Sequence, residues 1–301
     1  MAFLRAFDNV NISKMNSGDS AYIKNDIELQ FSDNNHYLKL NPCYNVALFT
    51  LLKDDVTKGN VFPALRNNEL HFYYKGGCLF KFVNGAFYRD SKYKGYSAGV
   101  EGLTSYEKSK KQNENKFTNK KGEITERQFL DKLYCHTYNP NLKSKTVVLD
   151  IEVNLKGNIG WGKKCDLVLL NTETDEIMFV EGKVYSDDRV RSAVGYIPRV
   201  IEQVNIYTQA IAEQRQTIIE QYAEYIRIVN ELFNTHYKSP RKLIEPAKLL
   251  VYKTGGGIAE NVRYTIETIN KKLGDSSVMW VKDEEPTLDE IWNALSGEIC
   301  R

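Results

Sequence analysis

Asp166, Glu181 and Lys183 stand on two segments whose pattern reads as one β-hairpin. Residues 165–170 and 177–184 are largely apolar, and the stretch Asn171-Thr172-Glu173-Thr174-Asp175-Glu176 between them is a polar turn signal. If Asn171 pairs with Glu176, the remaining pairs are fixed, and Asp166 falls opposite Glu181. Directly opposed residues of an antiparallel pair share a face, roughly 4.5–5.5 Å apart. Lys183, two residues beyond Glu181, lies on that face as well. A third acid comes from residues 147–155, where apolar residues hold every odd position. Asp150, Glu152 and Asn154 then fall together on the other face. Two opposed carboxylates at ~4 Å repel by about 4 kcal/mol at an effective dielectric of ~20. Lys183 cancels only part of this once Glu152 joins. A divalent cation would turn the cost into binding, and an all-oxygen ligand set points to magnesium or manganese rather than zinc. The competing reading is a solvated surface hairpin. Glu-x-Lys occurs a second time, at Glu114 and Lys116, but in a polar stretch with no neighbouring acidic strand.

The elements that must position these groups follow from the pattern around them. Residues 1–100 read as β-rich, with strands at 37–40, 46–49 and 70–74. Lys75-Gly76-Gly77 supplies a turn into a further strand at 79–82. Residues 101–122 are polar and basic, and read as a linker or mobile loop. From 123 the pattern alternates: a helix over 125–134, then strands over 146–155, 165–170 and 177–184. Pro198 opens one long helix, or two abutting ones, before Pro240. A strand at 248–252 follows, then Gly255-Gly256-Gly257, a helix near 258–272, a strand at 278–281 and a helix over 288–295. Such alternation predicts an α/β sheet with helices packed on it. Glu126, in the helix before the first strand, could face the acids or simply be a solvated first-turn glutamate.

Asp166, Glu181-Gly182-Lys183 and the preceding Glu152 resemble the PD-(D/E)xK nuclease superfamily. The order helix, three strands, helix, strand resembles its core over about residues 123–282. Gln203-Val204-Asn205-Ile206-Tyr207 looks like the Q-x-x-x-Y element of the RecB-like exonuclease branch, with Gln203 and Tyr207 on one helical face. Gln221 to Tyr225 fits the same spacing. Lys164-Cys165 stands where the family carries its proline, and the iron–sulfur cysteines of some RecB-like members are absent. The resemblance implies an α/β, restriction-endonuclease-like mixed sheet core flanked by helices, here behind a β-rich N-terminal region. It implies that Asp166, Glu181 and the Gly182 carbonyl bind Mg2+ or Mn2+, with Glu152 bound directly or through water. It further implies that Lys183 orients the attacking water or stabilises the phosphorane, and that Gln203 and Tyr207 belong to the catalytic set.

Composition narrows the classes. With 42% hydrophobic residues in 301, the chain can bury a core. Forty-one Lys and Arg against 39 Asp and Glu exclude a uniformly basic coat. No apolar run reaches the ~20 residues of a membrane helix, and the first residues lack an apolar core of signal-peptide length, so the expectation is a cytoplasmic protein without membrane contact. Five cysteines in no C-x-x-C pattern argue against a structural zinc site. From His71 to Lys121 there are eleven Lys and Arg against four Asp and Glu, with nine aromatics between Phe72 and Tyr96. This mixture suits a nucleic-acid strand, with Lys110, Lys111, Lys120 and Lys121 on phosphates and aromatics on bases. Strand aromatics are equally often core. The expected function is a metal-dependent nuclease, with DNA favoured over RNA and a homo-oligomer compatible. The alternatives are a non-catalytic nucleic-acid-binding protein on the same fold, or a protein-interaction partner.

Overall fold

The computed structural model describes residues 30–31, 37–39, 45–90, 102–117, 125–134, 137–155, 164–253, 260–282 and 285–297. Among them it is a mixed α/β protein with two sheets and six helices. The first sheet is formed by β1 (Gln30–Phe31), β2 (Tyr37–Lys39), β3 (Phe62–Leu65), β4 (Glu69–Tyr74), β5 (Gly77–Val83) and β6 (Ala86–Asp90). Its strand order is β1-β2-β6-β5-β4-β3, antiparallel throughout. Lys75 and Gly76 both take positive φ in the tight turn between β4 and β5, the conformation that a two-residue hairpin turn matching strand twist requires.

Two N-terminal expectations are corrected. Residues 46–49, read as a strand, lie in helix α1 (Asn45–Thr57). The apolar run is too short to separate the two periods. The residues that decide are Leu48, Phe49, Leu52, Asp55 and Val56, buried at helical spacing. Much of the stretch read as a polar linker is helix α2 (Gly102–Phe117). Its buried residues Tyr106, Ser109 and Asn113 also recur at helical spacing, and Glu107 and Lys111 are exposed. The Tyr106 hydroxyl donates to Asp55, and Asn113 Nδ2 donates to the Tyr74 carbonyl.

Helix α3 (Glu126–Tyr134) leads into the second sheet: β7 (Thr146–Asn154), β8 (Lys164–Asn171), β9 (Glu176–Val184), β10 (Lys242–Lys253) and β11 (Val278–Lys282). The order is β11-β10-β9-β8-β7. β7, β8 and β9 form an antiparallel meander, whereas β10 runs parallel to β9 and β11 parallel to β10. Parallel neighbours need a crossover, which helices supply. Helix α4 (Arg199–Phe233) connects β9 to β10, and α5 (Glu260–Leu273) connects β10 to β11. α4 is one unbroken helix of 35 residues, about 52 Å at 1.5 Å per residue. Pro198 is its N-cap residue, and Asn234, in the left-handed conformation, ends it. Helix α6 (Leu288–Ser296) opens with a Thr287–Glu290 capping box. Its Asp289 accepts from the Thr146 amide at 2.8 Å, tying it to the start of β7.

The two sheets share one hydrophobic core. Phe62 of β3 packs on Tyr134 and Tyr138, and Phe49 of α1 packs on Phe233 of α4. Such aromatic pairs contribute about 0.5–1.5 kcal/mol each beyond their burial. The aromatics Phe72, Tyr73, Tyr74, Phe80, Phe82 and Phe87, weighed above as base-stacking groups, are buried. Tyr93 and Tyr96 lie outside the described residues. No described helix is long and apolar enough to cross a membrane.

Candidate active site

The hairpin of β8 and β9 has the register expected of it: Asn171 pairs with Glu176, and the pairs run unbroken to Leu167 with Val180. The turn is held by Asn171 Oδ1, which accepts from the amides of Glu173 (2.9 Å) and Thr174 (3.1 Å). Asp166 and Glu181 are the next residues outward. Lys183 Nζ lies 2.6 Å from Glu181 Oε1 and 3.4 Å from Asp166 Oδ2. It also donates to the Gly182 carbonyl at 2.6 Å. A third carboxylate, Glu126 of α3, reaches Nζ at 3.2 Å. Of its two readings from sequence, the one that faces the acids is therefore the observed one.

Gly182 explains how α3 comes so close. A Cβ on Gly182 would lie 2.5 Å from Leu130 Cδ2, so the bare backbone at this position lets α3 pack on β9 and bring Glu126 in. The Gly182 amide donates to Asp166 Oδ2 at 2.9 Å. From the other side, α4 supplies a hydrogen-bonded chain. Gln203 Nε2 donates to Glu181 Oε1 and to the Tyr207 hydroxyl, and that hydroxyl donates to the Lys164 carbonyl at 2.8 Å. Gln203 and Tyr207 are both buried. They orient Glu181 rather than line open space.

Glu152 is reached differently. The pairs Ile151–Leu167 and Val153–Cys165 bracket Glu152 and Asp166 across β7 and β8. The register slips between Val148 and Asp150, and Glu152 itself has φ 48°. Strand alternation presumes extended backbone, so this kink, not period two, sets where Glu152 points. Asp150 and Glu152, expected on one face with Asn154, meet different partners. Asp150 is fully buried, with Arg66 Nη1 donating to its Oδ1 at 2.7 Å and the Tyr222 hydroxyl to its Oδ2 at 3.1 Å. Glu152 is half-exposed and pairs with Lys164 at 3.1 Å. Glu152, Asp166 and Glu126 line one open cleft of about 260 Å³, with Gly76, Arg127 and Leu130 among its other walls.

Burial dominates the electrostatics. It pushes the Glu181 carboxyl up to about 8, with the Asp166 charge adding to the effect and Lys183 opposing it. Burial also raises Asp166 and Glu126. Burial alone would lower Lys183, but the Asp166, Glu181 and Glu126 carboxylates outweigh it and hold the ammonium above its ordinary value. Three acids around one lysine leave excess negative charge, which favours retaining a proton on the buried carboxyls. Glu181 Oε2 is buried and meets no donor among the described residues, and while Glu181 keeps its proton the neighbouring Asp166 is its hydrogen-bond partner. Among those residues no group of three or more His, Cys, Asp or Glu is arranged so that it could hold a metal ion, and Lys183 Nζ bridges the carboxylates instead. The donor set is nevertheless wholly oxygen, which suits a hard divalent cation.

Two residues that sequence reasoning did not single out enter the site's frame. Arg189 lies 4.0 Å from Glu126 and 3.4 Å from Gln203 Oε1 while paired with Asp187 at 2.7 Å. Arg66, from the end of β3, pins β7 through Asp150 and through the Ile151 carbonyl at 2.7 Å. Of the lysines read as a nucleic-acid patch, Lys110 is committed inside the molecule. Its Nζ is 2.9 Å from Asp55 and sits over the Tyr74 and Tyr106 rings. Lys111 is exposed, and Lys120 and Lys121 lie outside the described residues. No protein-family model, curated protein or solved structure matches the chain.

Proposed function

We propose that this chain is a metal-dependent nuclease that hydrolyses phosphodiester bonds, with DNA as its preferred substrate. The observation that carries the reading is the convergence of Asp166, Glu181 and Lys183, with Asp166 lining an open cleft and Glu181 and Lys183 buried behind it. The antiparallel β7–β8–β9 meander followed by α4 and parallel β10 is the arrangement expected of a restriction-endonuclease-like core, which supports the resemblance drawn from the motifs. Asp166, Glu181 and the Gly182 carbonyl would hold Mg2+ or Mn2+, with Glu152 contributing directly or through water. When bound, the ion would lower the pKa of water and offset charge on the phosphorane. Asp166 and Glu181 then act as ionised ligands. Gln203, itself fixed by Tyr207, keeps Glu181 in one orientation. Lys183, charged at every physiological pH, holds the attacking water or the developing phosphorane oxygen by a contact that strengthens as charge develops.

The test is a digestion panel. End-labelled single- and double-stranded DNA and RNA are incubated with the protein and Mg2+, Mn2+ or EDTA. Cleavage of DNA that requires the metal and disappears in Asp166→Ala is expected. Absence of cleavage across the panel, by a protein that melts cooperatively, contradicts the reading.

A further inference from the structure

Arg66 is a largely buried cation that the first sheet sets against the edge strand of the second. It follows directly on β3, and its backbone amide donates to the Glu69 carbonyl at 2.7 Å in the turn to β4. Its guanidinium lies over the Tyr73 ring of β4, 5.9 Å from the centroid. The fork points at β7, the last strand of its sheet. Nη1 donates to Asp150 Oδ1 and Nη2 donates to the Ile151 carbonyl, both at 2.7 Å. Asp150 Oδ1 also accepts from the Ile151 amide at 2.8 Å. Both backbone polar groups of Ile151 thus go to one ion pair.

The next residue is Glu152, at φ 48°. That region disfavours any side chain with a Cβ, and such a conformation persists only where its surroundings impose it. The Ile151 carbonyl belongs to the peptide whose nitrogen is that of Glu152. Rotating this peptide is therefore what relaxes φ at Glu152, and Arg66 Nη2 holds it in place. The turned backbone leaves Glu152 on the wall of the cleft that Asp166 also lines. A lysine could balance the Asp150 charge, but holding a carboxylate and a carbonyl at once requires the planar fork of arginine. We infer that Arg66 is a positioning residue of the site: it clamps the Ile151 carbonyl from the first sheet and so fixes the left-handed turn that brings the Glu152 carboxylate beside Asp166. The inference rests on the nuclease reading, in which Glu152 joins Asp166 at the metal, and it gives the first sheet a part in metal binding.

The experiment measures Mn2+ binding to the full chain, from the electron paramagnetic resonance of the free ion, with urea denaturation to establish folding and single-turnover cleavage alongside. Glu152→Gln sets the scale. Arg66→Lys keeps a cation beside Asp150 and stays folded, yet should bind Mn2+ about tenfold more weakly, as expected when the support behind a metal ligand is lost. Arg66→Met with Asp150→Leu replaces the pair by apolar groups. It should regain much of the stability lost in Arg66→Ala and still bind Mn2+ weakly, whereas a merely structural pair would let binding return with stability. Arg66→Lys combined with Glu152→Gln should bind within about twofold of Glu152→Gln alone, because Arg66 acts through Glu152. Wild-type Mn2+ affinity in either folded Arg66 variant overturns the inference. So does full additivity with Glu152→Gln, or Mn2+ binding that Glu152→Gln leaves unchanged. If wild type cleaves in Mn2+ in those cases, the nuclease reading stands and the role of Arg66 alone falls. If folded wild type neither binds Mn2+ nor cleaves, the nuclease reading fails and takes Arg66 with it.

Discussion

Glu181 shows how far burial can redirect an ordinary side chain. In the unfolded chain Glu181 titrates as a common carboxylate, whereas in the fold it keeps its proton up to about 8. Between those values the folded state binds more protons than the unfolded state. The stability contributed by Glu181 therefore falls as pH rises through the window. The metal-free protein should melt at progressively lower temperature from about pH 5 to 8, and Glu181→Gln should remove much of that slope. Mg2+ or Mn2+, which favours the ionised carboxylates, should raise the melting temperature most at the alkaline end. A flat profile in differential scanning fluorimetry, unchanged in Glu181→Gln, contradicts this account. The basic stretch makes a second prediction at this scale. Lys110→Glu sets a second carboxylate against Asp55 and should cost at least about 2 kcal/mol in urea denaturation. Lys111→Glu should leave stability within about 0.5 kcal/mol and instead flatten the salt dependence of oligonucleotide binding. Equal effects of the two on stability would sink the distinction. The pair marks a limit of sequence reading: adjacent lysines look alike until a neighbouring acid such as Asp55, fifty-five residues away in the chain from Lys110, claims one of them.

The hairpin was legible as an element because its turn residues and apolar runs leave one consistent register, and that register carries Asp166 toward Glu181. The β7 strand was legible only in part. Its alternation predicts one polar face, but positive φ at Glu152 breaks the extended backbone, and Asp150 and Glu152 meet different partners. Nothing in local alternation announces such a kink; its anchor is Arg66, far away in sequence. Positive φ in a non-glycine residue costs of order 1–3 kcal/mol and persists only where surroundings over-determine it. Arg66→Ala would leave Asp150 a buried charge without its cation and should cost about 3–5 kcal/mol in urea denaturation. The paired change Arg66→Met with Asp150→Leu should recover much of that loss. If Arg66→Ala is silent, the brace has no energetic weight. Gly182 offers a test of the α3–β9 contact. Gly182→Ala should destabilise by about 1–3 kcal/mol through overpacking on Leu130. Adding Leu130→Ala should then cost less than it does in wild type, and strict additivity in this double-mutant cycle would contradict the contact.

At the scale of the molecule, the sequence suggested a β-rich N-terminal domain over 1–100, a basic polar linker over 101–122 and an α/β domain over 123–301, and the hydrophobic core runs through both sheets. Composition could not reveal this, because the joining residues Phe49, Phe62, Tyr134, Tyr138 and Phe233 are scattered through the chain and read separately as ordinary core. The first sheet therefore helps to build the site: its β4–β5 turn docks on α3, where Arg127 Nε donates to the Gly76 carbonyl at 2.6 Å and the Gly76 amide donates to Asp131 at 3.0 Å. One calorimetric transition is expected for the whole chain, and residues 123–301 expressed alone should fail to melt cooperatively. Two separated transitions, or a fragment with native-like melting, would restore the two-domain picture. The central claim, that this assembly cleaves phosphodiester bonds, is tested most directly by single-turnover cleavage of a labelled DNA strand in Mg2+ by wild type and Lys183→Ala. Binding of the same strand is measured separately in Ca2+. The account predicts that Lys183→Ala binds nearly as wild type but cleaves at least about a hundredfold more slowly, a loss of about 3 kcal/mol in transition-state stabilisation. Cleavage by Lys183→Ala within about threefold of wild type, or no metal-dependent cleavage by folded wild type, would contradict it.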